Sequence, residues 1–399
     1  MLGAGVFAAF GPAAQAAGSG ILLALALAAF VAFCNATSSA ELAAIYPQAG
    51  GTYVYGRERL GRFYGFLAGW GFVVGKIASC AAMAITFAAY AAPDYEKPVA
   101  IAAVVVLTAV NTRGIHRTAA LTRVIVVLVL AGLVLSVVAA LAGDDPQADR
   151  LTPISGTGAY GILQAAGLIF FAFAGYARIA TLGGEVRDPE RTIPKAIPIA
   201  LGIVLAVYAV VAVTLLAVLG ADLLAEAAAP LAAAVQVGDL HALTPVVRVA
   251  AAIASLGVLL SLIAGIGRTA FAMASNRELP RVLATVHPRH RVPWVAEVAV
   301  GAVVAVLAAT LDLRHAIGFS SFAVLVYYAI ANASAFTLSR PQLRWPRGLT
   351  VAGLLGCLAV AFSLPWTSVV AGAGVLAAGS LLYAALTFRP WQQPKTDRG

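Results

Sequence analysis

The sequence predicts an all-α integral membrane protein with twelve transmembrane helices, and three observations carry that prediction. Of the 399 residues, 61% are hydrophobic and only 11% are charged, where a soluble domain runs near about 25% charged. Mean hydropathy is +0.92. Apolar runs of about 20 residues, the length that crosses a bilayer core, recur from one end of the chain to the other. With 26 basic and 17 acidic residues, the chain could not cover several soluble domains with charge. That excludes an ordinary cytosolic enzyme, a disordered protein and, despite the net charge of +9, a nucleic-acid binder.

Taken in order, the spans fall near 1–17, 18–46, 63–92, 98–112, 117–142, 157–181, 194–220, 242–272, 294–311, 317–338, 348–364 and 366–388. The stretch Val124–Ala142 carries no charge at all, whereas 98–112 is short for a crossing. The basic residues sort by side. Loops after alternate spans hold twenty of the 26, from Arg57 to Arg398, while Lys97, Arg150 and Arg314 alone lie opposite. Positive loops stay in the cytoplasm, so the C-terminus and the tail 389–399 are placed there, in a multi-pass protein of the cell membrane. Cys34, Cys80 and Cys357 sit in apolar runs and the five histidines lack ligand spacing, so no disulfide, metal site or cofactor is expected. No basic segment precedes the first apolar run, so no cleaved signal is expected either. The first span opens at Met1 with about half a crossing before Gly18, and the expectation is an incomplete first helix that transports poorly as it stands.

Two spans are interrupted by small residues. Gly3-Ala4-Gly5 lies in the first, and Phe171-Ala172-Phe173-Ala174-Gly175 in the sixth. Interrupted segments at matching places in two halves point to a transporter site. Unwound backbone offers free N–H groups to a carboxylate and free C=O groups to an ammonium, a pair that suits a zwitterion. The competing reading is that these glycines only let helices approach closely. Lys76, Cys80 and Met83 recur on one helical face of the third span. Lys76 is an ionisable group deep in an apolar run, and such groups mark ion or substrate paths. A lysine held in low dielectric can exist without its proton, as a proton coupler must; the alternative is a side chain that snorkels to the cytoplasm or pairs with carbonyls. Arg178 and Arg248 read as structural or interfacial, and Arg187 to Lys195 as a loop of mixed charge beside a helix end.

Four stretches resemble the amino acid–polyamine–organocation permeases. Gly3-Ala4-Gly5-Val6-Phe7 is similar to their first-helix signature, and Ser39 through Tyr55 to their second helix and loop. Phe170 through Tyr176 followed by Gly184 through Pro194 resembles their sixth helix, and Arg268 through Pro280 the end of their eighth. The resemblance implies the leucine-transporter fold: helices 1–5 (1–142, with helix 1 incomplete) and 6–10 (157–338) as inverted repeats, then two accessory helices (348–388). It further implies that Gly3, Ala4 and Gly5 bind a substrate carboxylate, that Phe173, Ala174 and Gly175 hold its α-amine, and that Phe171 gates the site. By the same likeness Cys80 and Met83 border the substrate.

Departures from the family shape the mechanism. Ala177 stands where cationic carriers keep an acid, Val129 where sodium-independent members often keep a lysine, and Ala264 and Gly265 where a sodium site would want hydroxyls. The function expected is a secondary amino acid transporter working by alternating access, coupled to protons through Lys76. An amino acid/amine exchanger is the alternative, with a cationic amino acid carrier behind it. An intramembrane enzyme would need a catalytic cluster and a channel would need polar rings, and the spans supply neither. No ATP-binding loop of the G-x-x-x-x-G-K-[ST] type is present.

Overall fold

A computed structural model of the chain describes residues 3–47, 50–114, 119–143, 147–151, 158–176 and 188–387. Among these residues the secondary structure is helical throughout. In chain order the helices are α1 (Gly5–Ala8), α2 (Phe10–Ala17), α3 (Ile21–Ile45), α4 (Thr52–Arg59), α5 (Arg62–Ala91), α6 (Glu96–Thr112), α7 (Ala119–Leu141) and α8 (Gly158–Phe173). They continue with α9 (Pro189–Glu226), α10 (Pro230–Val237), α11 (Thr244–Ser275), α12 (Trp294–Thr310), α13 (Leu313–Phe336), α14 (Arg347–Ser363) and α15 (Trp366–Thr387).

Seven helical stretches are long and apolar enough to cross a bilayer: the joined α2–α3, α5, α7, α9, α11, α13 and α15. The apolar helices α8, α12 and α14 are shorter. Helices that are apolar on all sides have no solvent face, so outward residues such as Val106, Val127, Phe362 and Leu381 remain exposed on the protein and suit lipid. Burial separates inner helices from outer ones. The most apolar windows of α5 and α13 are 78% and 83% buried inside the protein, while that of α15 is 11% buried. α5 is the axis of the structure, with α4, α6, α11, α12, α13 and α15 all packed along it.

Two boundaries differ from the sequence reading. The span expected at 194–220 starts earlier, at Pro189, which at a helix start needs no N–H partner; it breaks at Gly220, the expected end, where a second helical stretch follows across a kink to complete α9. Gly220 takes φ 72 and ψ 173, a backbone state that only glycine adopts freely. The carbonyls released there are taken up by Arg150, which donates to Ala217 O at 3.3 Å and to Val218 O. The span expected at 157–181 is α8 as far as Phe173, followed by a 3-10 turn over Ala174–Tyr176. Ala177, Arg178, the loop from Gly184 to Arg187 and the tail 389–399 lie outside the described residues.

Polar contacts join the helices where apolar packing alone would not fix register. Asn332 of α13 donates to Asn35 Oδ1 of α3 at 2.6 Å and accepts from Ser38 at 2.7 Å. Cys357 of α14 donates its thiol to the same Asn35 oxygen at 3.2 Å. Ser79 of α5 and Ser320 of α13 meet at 2.6 Å. Glu41, within the stretch that resembles the second-helix signature, accepts the backbone N–H groups of Arg344 and Trp345 at 3.0 and 2.8 Å, so it anchors the α13–α14 loop.

On the basic-rich face, α4 is tied to the segment after α11. Tyr53 donates its hydroxyl to Glu278 at 2.7 Å, Arg57 pairs with Glu278 at 3.0 Å, and Asn276 donates to Tyr53 at 2.7 Å. Burial, assisted by the neighbouring Glu278, pushes the Tyr53 hydroxyl up to about 12. Burial also raises Glu278 above the ordinary carboxylate range, against the opposing pull of Tyr53, Arg57 and Arg62. A buried pair of this kind is more damaging half-removed than wholly removed. Glu278→Ala should therefore destabilise by roughly 1–3 kcal/mol, and adding Arg57→Ala should cost much less than the sum of the two single changes. Thermal unfolding of the four proteins in detergent checks this; additive losses would show that the pair does not act as a unit.

Candidate substrate site

The candidate site lies where the start of α1 and the end of α8 meet the middle of α5. α1 begins at Gly5, so Gly3 and Ala4 precede it, and Phe7 N–H closes on Ala4 O at 3.0 Å. The first N–H groups of a helix have no partner within it. Opposite, α8 stops at Phe173 and tightens into the turn Ala174–Tyr176, which frees carbonyls on that side. The two breaks touch. A Cβ on Gly5 would lie 2.6 Å from the Ala172 Cα and 2.9 Å from its Cβ, so only glycine lets the segments approach this closely. At Gly3 the same atom would lie 2.6 Å from a Val258 methyl group of α11.

The freed carbonyls have named partners. Tyr208 of α9 donates its hydroxyl to Ala172 O at 3.0 Å, and its ring lies 5.1 Å from that of Phe173. Lys76 reaches across from α5 and donates to Ala174 O at 3.4 Å. Lys76 is buried as a residue, so its side chain ends at the end of α8 rather than extending into solvent. Cys80 and Met83 are buried on the same helix, and α1 packs against α5 as well as α8.

The structure thus brings together Gly5 with Ala172, and Lys76 with Ala174. Phe171 is buried in the last turn of α8, and Phe173 packs on Tyr208 rather than standing free. Gly175 lies in the turn beside Ala174. Val129, the position compared with a helix-5 lysine, is buried on α7. Arg248 donates to Tyr90 O at 3.2 Å, a link between α11 and the end of α5. Sequence reasoning passed over Tyr208 and Tyr90. The available signal was a hydroxyl inside an apolar run, since a buried tyrosine nearly always finds a partner for its O–H.

A chain of several membrane-length apolar helices, with the start of α1 packed against the end of α8, fits a multi-pass membrane transporter. Comparison with known proteins then fixes the family: the profile described as amino acid permease matches residues 1–392, and the chain belongs to that family. It is 60% identical to an uncharacterized transporter of Mycobacterium tuberculosis, over the whole of this chain and 91% of the relative. It is 24% identical to a branched-chain amino acid permease of Bacillus subtilis, over 96% of this chain and 89% of that one. A chloroplastic cationic amino acid transporter of Arabidopsis thaliana is 28% identical, over 92% and 68% of the two chains.

The contact between the two breaks generates a test. Gly5→Ala forces the backbone of α1 or α8 to move, and displacements near 1 Å at a binding site cost rate by roughly tenfold or more. Gly202→Ala on α9, where a Cβ meets nothing within 4 Å, should leave uptake unchanged. Uptake by the two variants in proteoliposomes is the measurement, and equal uptake would show that the close approach is dispensable.

Proposed function

We propose that the protein is a secondary active transporter of amino acids across the cell membrane, working by alternating access and coupled to protons through Lys76. In this reading the chain crosses twelve times with its C-terminus in the cytoplasm. Helices 1–5 and 6–10 are inverted repeats, and two accessory helices follow. Gly3, Ala4 and Gly5 receive the substrate carboxylate, Phe173, Ala174 and Gly175 its amine, and Phe171, Cys80 and Met83 border it. The preferred substrates are neutral amino acids of modest size, because Ala177 leaves no acid for a cationic side chain and the surrounding residues are apolar.

One observation supports coupling above the others: the Lys76 ammonium lies on the carbonyl of Ala174, in the segment assigned to the substrate amine. A proton on Lys76 and an amine on the substrate therefore address the same backbone. Two ligands that address one element alter each other's affinity by the same factor. A charge in this setting is costly and is kept where it serves an ion or substrate path.

Uptake in proteoliposomes against a panel of labelled amino acids tests the substrate assignment. Neutral amino acids should compete with labelled alanine or leucine and excess arginine should not; the reverse pattern would overturn it. Lys76→Met keeps the length and removes the charge, so pH-dependent accumulation should disappear while slow exchange persists. Replacing sodium by choline should leave wild-type uptake unchanged. Undiminished proton-driven accumulation by Lys76→Met would reduce the residue to a structural role.

A further inference from the structure

Tyr90 is fully buried near the end of α5, and its hydroxyl serves two elements at once. It donates to Phe7 O of α1 at 3.1 Å and accepts the Leu231 N–H of α10 at 3.3 Å. The ring stands edge-on to Phe7, centroids 5.8 Å apart, and the Tyr90 carbonyl is held from α11 by Arg248. α10 is a helix of eight residues. It joins α9 to α11 on the basic-poor face and packs on α1. Beneath it, a Cβ on Gly11 would come within 2.9 Å of Ala227 O and 3.8 Å of Pro230, so the turn that leads into α10 rests directly on α2. α10 and this turn therefore cover α1 and α2 on that face.

We propose that Tyr90 is a positioning residue that holds the α10 cover shut only while α1 occupies its place at the substrate loop. A tyrosine hydroxyl has one proton and two lone pairs. With the proton committed to Phe7 O, a lone pair faces Leu231 N–H and the cover is held. When α1 withdraws, the hydroxyl turns to another acceptor, and a buried N–H left without a partner opposes closure. Phe7 lies about one turn after Gly3 and two residues after Gly5, so the position of the substrate loop and the seating of the cover become one equilibrium. This rests on the alternating-access reading above, but its test requires no knowledge of the substrate.

Cys80 is a built-in reporter, being a fully buried free thiol on α5 beside the site. The probe is a membrane-impermeant, negatively charged methanethiosulfonate, applied to right-side-out and to inside-out vesicles, with modification at Cys80 quantified by peptide mass spectrometry. Tyr90→Phe keeps the ring and its edge contact but removes both hydrogen bonds. Labelling of Cys80 from outside should rise by roughly tenfold, the shift expected when a buried N–H loses its acceptor, with no rise from inside. Unchanged external labelling would overturn the proposal, and so would an equal rise from both sides, which signifies general loosening. A protein that moves no amino acid in the uptake panel yet shows the one-sided rise would sink the substrate assignment and leave Tyr90 in its role.

Discussion

A backbone carbonyl released inside a membrane has no water to turn to, and the arrangement of this protein follows from how each such carbonyl is satisfied. At the end of α8 and at Gly220, among the described residues, a long polar side chain from another segment arrives to cap the freed carbonyls. Tyr208 takes Ala172 O, Lys76 takes Ala174 O, and Arg150 takes the pair released at Gly220. An unsatisfied group at that depth costs several kcal/mol, so each cap also fixes which helices lie beside the break. The site is consequently held by α5 and α9 as much as by the two helices that are broken.

The same logic explains the central place of α5. It supplies Lys76 to one break and Tyr90 to the carbonyl of Phe7, and it carries Ser79 against Ser320 of α13. A helix with polar groups at several depths and small residues between them can contact many neighbours at once. α15, little buried inside the protein, is reached from α5 by the Trp70 indole N–H, which donates to Val375 O at 2.9 Å. The division between an inner axis and outer helices thus follows where polar groups lie along the chain, since α5 and α13, the most buried of the membrane-length helices, are also the least apolar.

Helix type and the membrane environment were legible from composition because lipid demands long apolar runs whatever the tertiary structure. The start of α1 at Gly5 and the end of α8 at Phe173 were legible because Gly3-Ala4-Gly5 and the small residues after Phe171 depart from a uniform apolar background. Lys76 was legible as a lone charge, although the carbonyl it meets is 98 residues away and no local pattern encodes that pairing. Tyr208 and Tyr90 were passed over for the same reason: a tyrosine in an apolar span looks like packing until its partner is known. Helix ends were hardest near glycine and proline. At Pro189 and Gly220 the local preferences hold, since α9 starts at the one and is broken at the other, and Arg150 and the Gln147 N–H take up the carbonyls that the break releases.

The cluster around Asn35 has a consequence for spectroscopy. The Cys357 thiol donates to an amide oxygen that also receives Asn332, in a region closed to water. A sulfhydryl stretch absorbs in a part of the infrared spectrum where proteins are otherwise nearly transparent, and its frequency falls as the hydrogen bond strengthens. The band from Cys357 therefore reads the spacing of α3, α13 and α14 without any label, and difference spectra taken during turnover would follow whether these three helices move as one body.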